Sequence, residues 1–574
     1  MAGNNSEVKT VATQVVNQLA EAGIKRIYAI TGDSLNAITG DSLNAITDEI
    51  TKDGRINFIH MRHEESGAFA ASAEAQLTGR LAVVAGSSGP GHVHLINGLY
   101  DAQRSDAPVL AIASTCPSSM FGTGYFQETN PTLLFSNCSV YNEMAETPSQ
   151  VPSMLHGAMQ SAISKGGVSV IGLPGDLIQL PSVPYSSSIL PSYTQEKPKT
   201  SEEEIAETAK ILNDARSVVI YAGYGAKDAA ELVNSLSQIL KAPVVTSYKS
   251  QMELSRNMPN YIGHVAHLGM WSASEAIKEA DVTLILGTNF PFPGFFAANK
   301  KNIQVDIRAE RLGKVANLTL GIRSDVGLFI DALLPKLNSE KDDTFLQKSL
   351  ENWKQIKIKL QEPVENPGKE GCIRPEFMTS LLDKLIEEDA IVCVDTGLNN
   401  LWTSHYLSPG KSRRMLGSFM HGSMANALPM AIGAAATCPD KQVIAFCGDG
   451  GLEMLMGELL TVVQYNLPIK ILVADNSELG FVKWEMELEH YTPSQTSLKN
   501  PDLAKVANAI GINAQTVTNP GKLEEAMKLW LNNDGPALLA VKTDPDAASF
   551  TFSKELMESA SPGNVVSNFI LPGI

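Results

Sequence analysis

One unit recurs along this chain and constrains its fold more than any other feature: a short β-branched apolar run, then a turn, then a helical pattern. Examples are RIYAI (Arg26–Ile30), LAVVA (Leu81–Ala85), VLAIA (Val109–Ala113), VSVI (Val168–Ile171) and SVVIY (Ser217–Tyr221). VTLIL (Val282–Leu286), IVCV (Ile391–Val394), VIAF (Val443–Phe446), IKILV (Ile469–Val473) and ALLAV (Ala537–Val541) continue the series. Such uninterrupted apolar runs suit strands buried on both faces. Their alternation with helices predicts an α/β fold of doubly wound parallel sheets with right-handed crossovers. Ligands in such sheets bind beyond the carboxyl ends of the strands. The turns that follow strands are therefore where chemistry is expected.

At 574 residues the chain is too long for one core. Two stretches have linker composition: the Pro- and Ser-rich Pro181–Ser201 and EPVENPGKEGCIRP, Glu362–Pro375. They predict domains at 1–182, 195–345 and 370–550, with a short tail at 551–574. A net charge of −17 leaves no surplus of cations for nucleic acid. Met1–Glu21 lacks the pattern of a signal peptide, and no apolar run is long enough to span a bilayer. The tail shows no basic amphipathic face for membrane docking. The six cysteines are scattered without a CxxC pair, as reduced thiols of a cytoplasmic protein would be.

The richest turn is Gly448-Asp449-Gly450-Gly451, directly after VIAF and before a helical run. Glycines let the backbone approach a phosphate, and a helix start offers free N–H groups. Asp449 would repel a bare diphosphate, so a divalent cation between them is the natural resolution. A further oxygen ligand is expected at the end of the next strand, where Asn476 stands with Ser477 and Glu478 beyond it. Taken alone, the turn is read equally well as a plain glycine-rich connection. In the middle block, Gly223 and Gly225 follow a strand and precede a helix, which suits a nucleotide phosphate, although a lone Gly-x-Gly is weak evidence.

The Asp449-to-Asn476 spacing matches the thiamine-diphosphate signature, and the rest of the chain extends the likeness. RHEE (Arg62–Glu65), GPGHVHLINGLYDA, GYFQETNP, GSFMHGSMANALP (Gly417–Pro429), CGDGG and ELGFVKWE resemble the pyruvate oxidase family, including its quinone-reducing pyruvate dehydrogenase branch. The resemblance implies a pyrimidine-binding, a central FAD-binding and a diphosphate-binding domain, with thiamine diphosphate, Mg2+ and FAD as cofactors. It implies that Glu64 protonates the aminopyrimidine, that Met424 supports the bent cofactor and that the Gly422 carbonyl receives its amino group. Asp449, Asn476 and Glu478 would hold the metal, and Gly448, Gly450 and Gly451 the diphosphate. Phe126, Gln127, Phe481 and Glu485 would surround substrate and flavin. Gly223, Gly225, Asn289, Asp306 and Asp325 would hold FAD. The family usually has Asn-Asn where this chain has Asp475-Asn476. The implied reaction is oxidative decarboxylation of pyruvate with phosphate or water as acetyl acceptor and oxygen or a quinone as electron acceptor. Acetolactate synthase, with a non-redox FAD, and a flavin-free decarboxylase share the architecture. Glu64 and the diphosphate turn lie in different domains, and in the family they meet between subunits, so a homo-oligomer is implied, at least a dimer and commonly a tetramer.

One stretch departs from this frame. TGDSLNAI is written twice, as Thr31–Ile38 and Thr39–Ile46. The strand RIYAI abuts the first copy, so Gly32, Asp33 and Ser34 are expected in the cofactor-facing turn. The second copy is expected as extra helix and loop at the far end.

Overall fold

The structure, a computed structural model, describes residues 9–32, 42–184, 197–266, 269–290, 292, 294–296, 299–338 and 340–547. It contains three six-stranded parallel sheets. The first holds β1 (Arg26–Ala29), β2 (Asn57–His60), β3 (Ala82–Gly86), β4 (Val109–Thr115), β5 (Tyr141–Met144) and β6 (Val168–Pro174). The second holds β7 (Val218–Ala222), β8 (Val244–Thr246), β9 (Tyr261–His264), β10 (Val282–Leu286), β11 (Lys301–Asp306) and β12 (Leu320–Arg323). A two-stranded hairpin, β13 (Gly368–Lys369) and β14 (Cys372–Ile373), precedes the third sheet. That sheet holds β15 (Ile391–Val394), β16 (Arg414–Gly417), β17 (Val443–Gly448), β18 (Lys470–Asp475), β19 (Asn513–Val517) and β20 (Ala537–Lys542).

The first and third sheets follow one path. Their orders, β2-β1-β3-β4-β6-β5 and β16-β15-β17-β18-β20-β19, are the same permutation. The middle order is β12-β11-β10-β7-β8-β9. This is the dinucleotide-binding arrangement, whose direction reverses between its first and fourth strands, here β7 and β10. The predicted apolar runs all form strands, and β4 and β6 are buried along their whole length.

Helices Glu64–Thr78 and Ala427–Thr437 bring the first and third sheets together. Both carry small residues where they cross. A Cβ at Gly433 would stand 2.2 Å from the Ala70 carbonyl oxygen. Gly433→Ala is therefore expected to push the helices apart and cost about 1–3 kcal/mol as an overpacked contact, read as a fall in Tm. The linker composition around Glu362 conceals order: helix Thr344–Val364 runs into it, with Pro363 in its last turn.

The repeat is only partly within view. Helix Ser42–Asp53 opens inside the second copy, and Leu43 N–H lies 3.2 Å from Ser114 Oγ near the carboxyl end of β4. Leu43 and Ile46 are fully buried. The second copy thus begins the helix at the sheet's carboxyl edge rather than extending it at the far end. Asp33 and Ser34 lie outside the described residues, as does the C-terminal tail. All six cysteines are free thiols, and no helix among the described residues is long and apolar enough to cross a membrane.

Candidate active site

The strongest turn is built as a cradle. β17 runs straight into helix Asp449–Met454, whose N-cap, Gly448, offers no side-chain hydrogen bond. No cap side chain takes the first N–H groups, and the Gly450 N–H turns to the Asp449 carboxylate. Glycine at 451 is dictated by its neighbour: a Cβ there would lie 1.8 Å from Asp395 Oδ2. Asp449 is buried. Its Oδ2 accepts the Ser477 N–H and the Asn500 Nδ2, each at 2.7 Å. Burial, with a smaller push from Asp475, raises its carboxyl to about 6, a penalty a cation would offset. Asn476 follows β18, and its Oδ1 accepts the Glu478 N–H at 3.0 Å. Glu478 Oε1 accepts from Ser497 Oγ, whereas Oε2 is buried without a partner among the described residues. These residues, the glycines, Met424 and Phe481 line one cleft. A saturated Asp449 Oδ2, an orphaned Glu478 oxygen and an uncapped helix start fit a cation with a diphosphate.

Several side chains here had no sequence pattern to announce them. Asp395, at the end of β15, accepts the Asn426 N–H at 3.1 Å, and burial lifts its carboxyl to about 7. The rule that chemistry follows strands would have found it. Asn500 donates to both Asp449 and Asp475. Lys542 pairs with Asp475 at 2.5 Å.

The first sheet supplies a separate constellation. Glu64 opens its helix with His63 as N-cap, and its Oε2 lies 2.9 Å from His94 Nδ1. The His63 and His94 rings stack at 4.4 Å. Glu64 is 5% exposed. A Cβ at Gly91 would come within 3.1 Å of Glu64 Oε1, so the turn after β3 lies against the carboxylate. Gln127 sits over that turn in the left-handed region, φ 58°, with its carbonyl accepting from Ser88 Oγ. Glu128 holds the loop by accepting the Gly124 and Tyr125 N–H groups at 2.8 and 3.0 Å. Phe126 is left 61% exposed. Glu64, Phe126 and Gln127 therefore share one edge of the first sheet, and none of them lines the cleft around Asp449 in the same chain.

A second cavity, of about 450 Å³, lies between the middle and third sheets. Asn289, Gly422, Phe481 and Glu485 line it, with Lys249 and Trp484. Burial raises the Glu485 carboxyl. Phe481 and Thr396 line both cavities. Gly223 and Gly225 do not form its wall. Their N–H groups donate to the Leu286 and Gly287 carbonyls at 2.8 Å, and a Cβ at Gly223 would lie 2.4 Å from Gly287 O. These glycines close β7 against β10 and spend their N–H groups on the neighbouring strand. Asp306, at the end of β11, accepts the Arg308 N–H at 2.9 Å. Asp325 caps helix Val326–Leu333 and pairs with Lys197 at 3.0 Å. Neither aspartate lines the cavity.

Comparison with known proteins fits this geometry. Residues 9–134 match the N-terminal TPP-binding domain of thiamine pyrophosphate enzymes, 205–333 the central domain and 395–541 the C-terminal TPP-binding domain. The pyruvate oxidase of Lactiplantibacillus plantarum is 31% identical over 524 residues, covering 90% of this chain and 85% of its own. The chain belongs to the thiamine-diphosphate-dependent pyruvate oxidase family. A Bacillus subtilis protein titled "Putative thiamine pyrophosphate-containing protein" is 31% identical over 540 residues, 93% of this chain and 91% of its own. A Methanococcus aeolicus protein titled "Probable acetolactate synthase large subunit" is 29% identical over 543 residues, 90% and 89% of the two chains. Membership makes this chain a thiamine-diphosphate enzyme, and its relatives include both oxidase and synthase chemistries.

Proposed function

We propose that the protein is a pyruvate oxidase that uses thiamine diphosphate, Mg2+ and FAD. One observation carries the reading: a cavity at the switch point of a dinucleotide-type sheet shares Phe481 and Thr396 with the diphosphate cleft. Thiamine diphosphate supplies a carbanion and an electron sink for decarboxylation, and a flavin in the larger cavity supplies a two-electron acceptor.

The chain's own residues have defined tasks in this reading. Asp449, Asn476 and Glu478 hold Mg2+, and the N–H groups after Gly448 hold the diphosphate. Met424 reaches over Gly450, its Cε 3.6 Å from the site of a Cβ there, and so supports the ring end of the cofactor. Glu64 holds a proton at the aminopyrimidine, with His94 fixing its carboxylate. Phe126 and Gln127 cover the substrate, and Phe481 and Glu485 separate it from the flavin. Pyruvate and phosphate (or water) give acetyl phosphate (or acetate) and CO2. The two electrons pass to oxygen, giving H2O2, or to a quinone.

Because Glu64 does not line the cleft around Asp449 in the same chain, a second copy would complete each site. Mixing inactive Glu64→Gln with inactive Asp449→Ala subunits is then expected to restore part of the activity, since some mixed sites carry neither change. No recovery on mixing would assign each site to one chain.

Anaerobic titration with pyruvate, following flavin absorbance, tests the reaction. Stoichiometric bleaching is expected. Pyruvate consumed while the flavin stays oxidised would indicate a synthase. Protein that binds no flavin would indicate a non-redox decarboxylase.

A further inference from the structure

Where the family usually carries an asparagine, this chain places Asp475, a buried carboxylate beside the turn that holds Asp449. An added negative charge in such a place is costly unless it is paired. The pairing comes from the neighbouring strand. Asp475 and Lys542 are register partners on β18 and β20, and their charged atoms stand 2.5 Å apart. Asp475 Oδ1 accepts further from Ser477 Oγ at 3.1 Å and from Asn500 Nδ2 at 3.0 Å. The same Asn500 nitrogen lies 2.7 Å from Asp449 Oδ2, which also accepts the Ser477 N–H. Lys542 thus fixes Asp475, Asp475 fixes Asn500, and Asn500 with Ser477 saturates one oxygen of Asp449. The carboxylate held in this way lines the cleft.

We infer that Lys542, Asp475 and Asn500 form a positioning relay for a divalent cation at Asp449. This rests on the metal reading of the cleft. None of the three would touch the cation; they act by holding its carboxylate. Outer partners of this kind commonly change metal affinity by about 10–100-fold. An asparagine at 475 has one acceptor oxygen and no charge, so it could not accept from Lys542 on one side and from Ser477 and Asn500 on the other, as the two carboxylate oxygens do.

The test is titration of Mg2+ into the full-length apoprotein with saturating thiamine diphosphate. It is read by calorimetry and by tryptophan fluorescence, since Trp402 lines the cleft. Lys542→Met and Asn500→Ala are each expected to weaken Mg2+ about tenfold or more. The double variant should bind no more weakly than the poorer single, because both act through one carboxylate. Lys542→Arg should retain most of the affinity. Asn500→Ala leaves the charge pair intact and serves if Lys542→Met does not fold. Lower Tm with unchanged Mg2+ affinity would overturn the inference, as would losses that multiply in the double variant. An unaltered protein that binds no Mg2+ would instead remove the metal reading beneath it.

Discussion

Glu64→Gln is expected to lower kcat by about 10²–10⁴-fold, the usual contribution of a positioned acid–base group. The amide keeps the shape of the side chain and one oxygen for His94 Nδ1, 2.9 Å from the carboxylate now. It cannot hold and release a proton. No Lys or Arg pairs with Glu64 among the described residues, so the exchange leaves no cation stranded and Tm should change little. Affinity for thiamine diphosphate should fall far less than kcat. The decisive readout is exchange of the thiazolium C2 proton with deuterium in the loaded protein, which should slow in step with kcat. A variant that turns over and exchanges at the unaltered rate would remove Glu64 from the proton transfer.

What the sequence reveals here depends on how many neighbours a residue has along the chain. The central strands announce themselves because sheet and helices bury both faces, as in Val109–Thr115. Edge strands do not. Among the described residues Asn513–Val517 pairs only with β20, and it exposes most of its residues, so it carries no apolar run. Helix Thr344–Val364 escapes for a related reason: its buried stripe is thin, resting on Leu346, Ile356, Leu360 and Val364 amid charged residues. The cleft was legible where the polar residues that line it sit at strand ends, as Asp449 and Asn476 do. Lys542 was not, because its partner is set by sheet register between strands distant in sequence. The pair Gly223 and Gly225 shows the opposite limit. A strand–Gly-x-Gly–helix pattern reads as a phosphate turn, yet here the same lack of side chains serves the close approach of β10.

Gly451→Ala should be as damaging as loss of a metal ligand, by a different route. The added methyl would begin 1.8 Å from Asp395 Oδ2 and 2.7 Å from its Cγ, inside any tolerable contact. Asp395 cannot simply swing aside. Its Oδ1 accepts the Asn426 N–H at the start of helix Ala427–Thr437, and the residue is 1% exposed. The strain therefore falls on helix Asp449–Met454, whose first N–H groups and Asp449 are moved off the cleft. A displacement of this size at a preorganised site costs about 10²-fold or more. Thiamine diphosphate affinity, measured by calorimetry with Mg2+ present, should drop by at least that factor, and Tm should fall with it. Asp395→Ala in the same chain removes the atoms in the way. The Gly451→Ala/Asp395→Ala protein should then recover cofactor binding relative to Gly451→Ala alone, although it forfeits a cap on helix Ala427–Thr437. A double variant that binds no better would mean that the glycine is required by the diphosphate itself rather than by the buried carboxylate behind it.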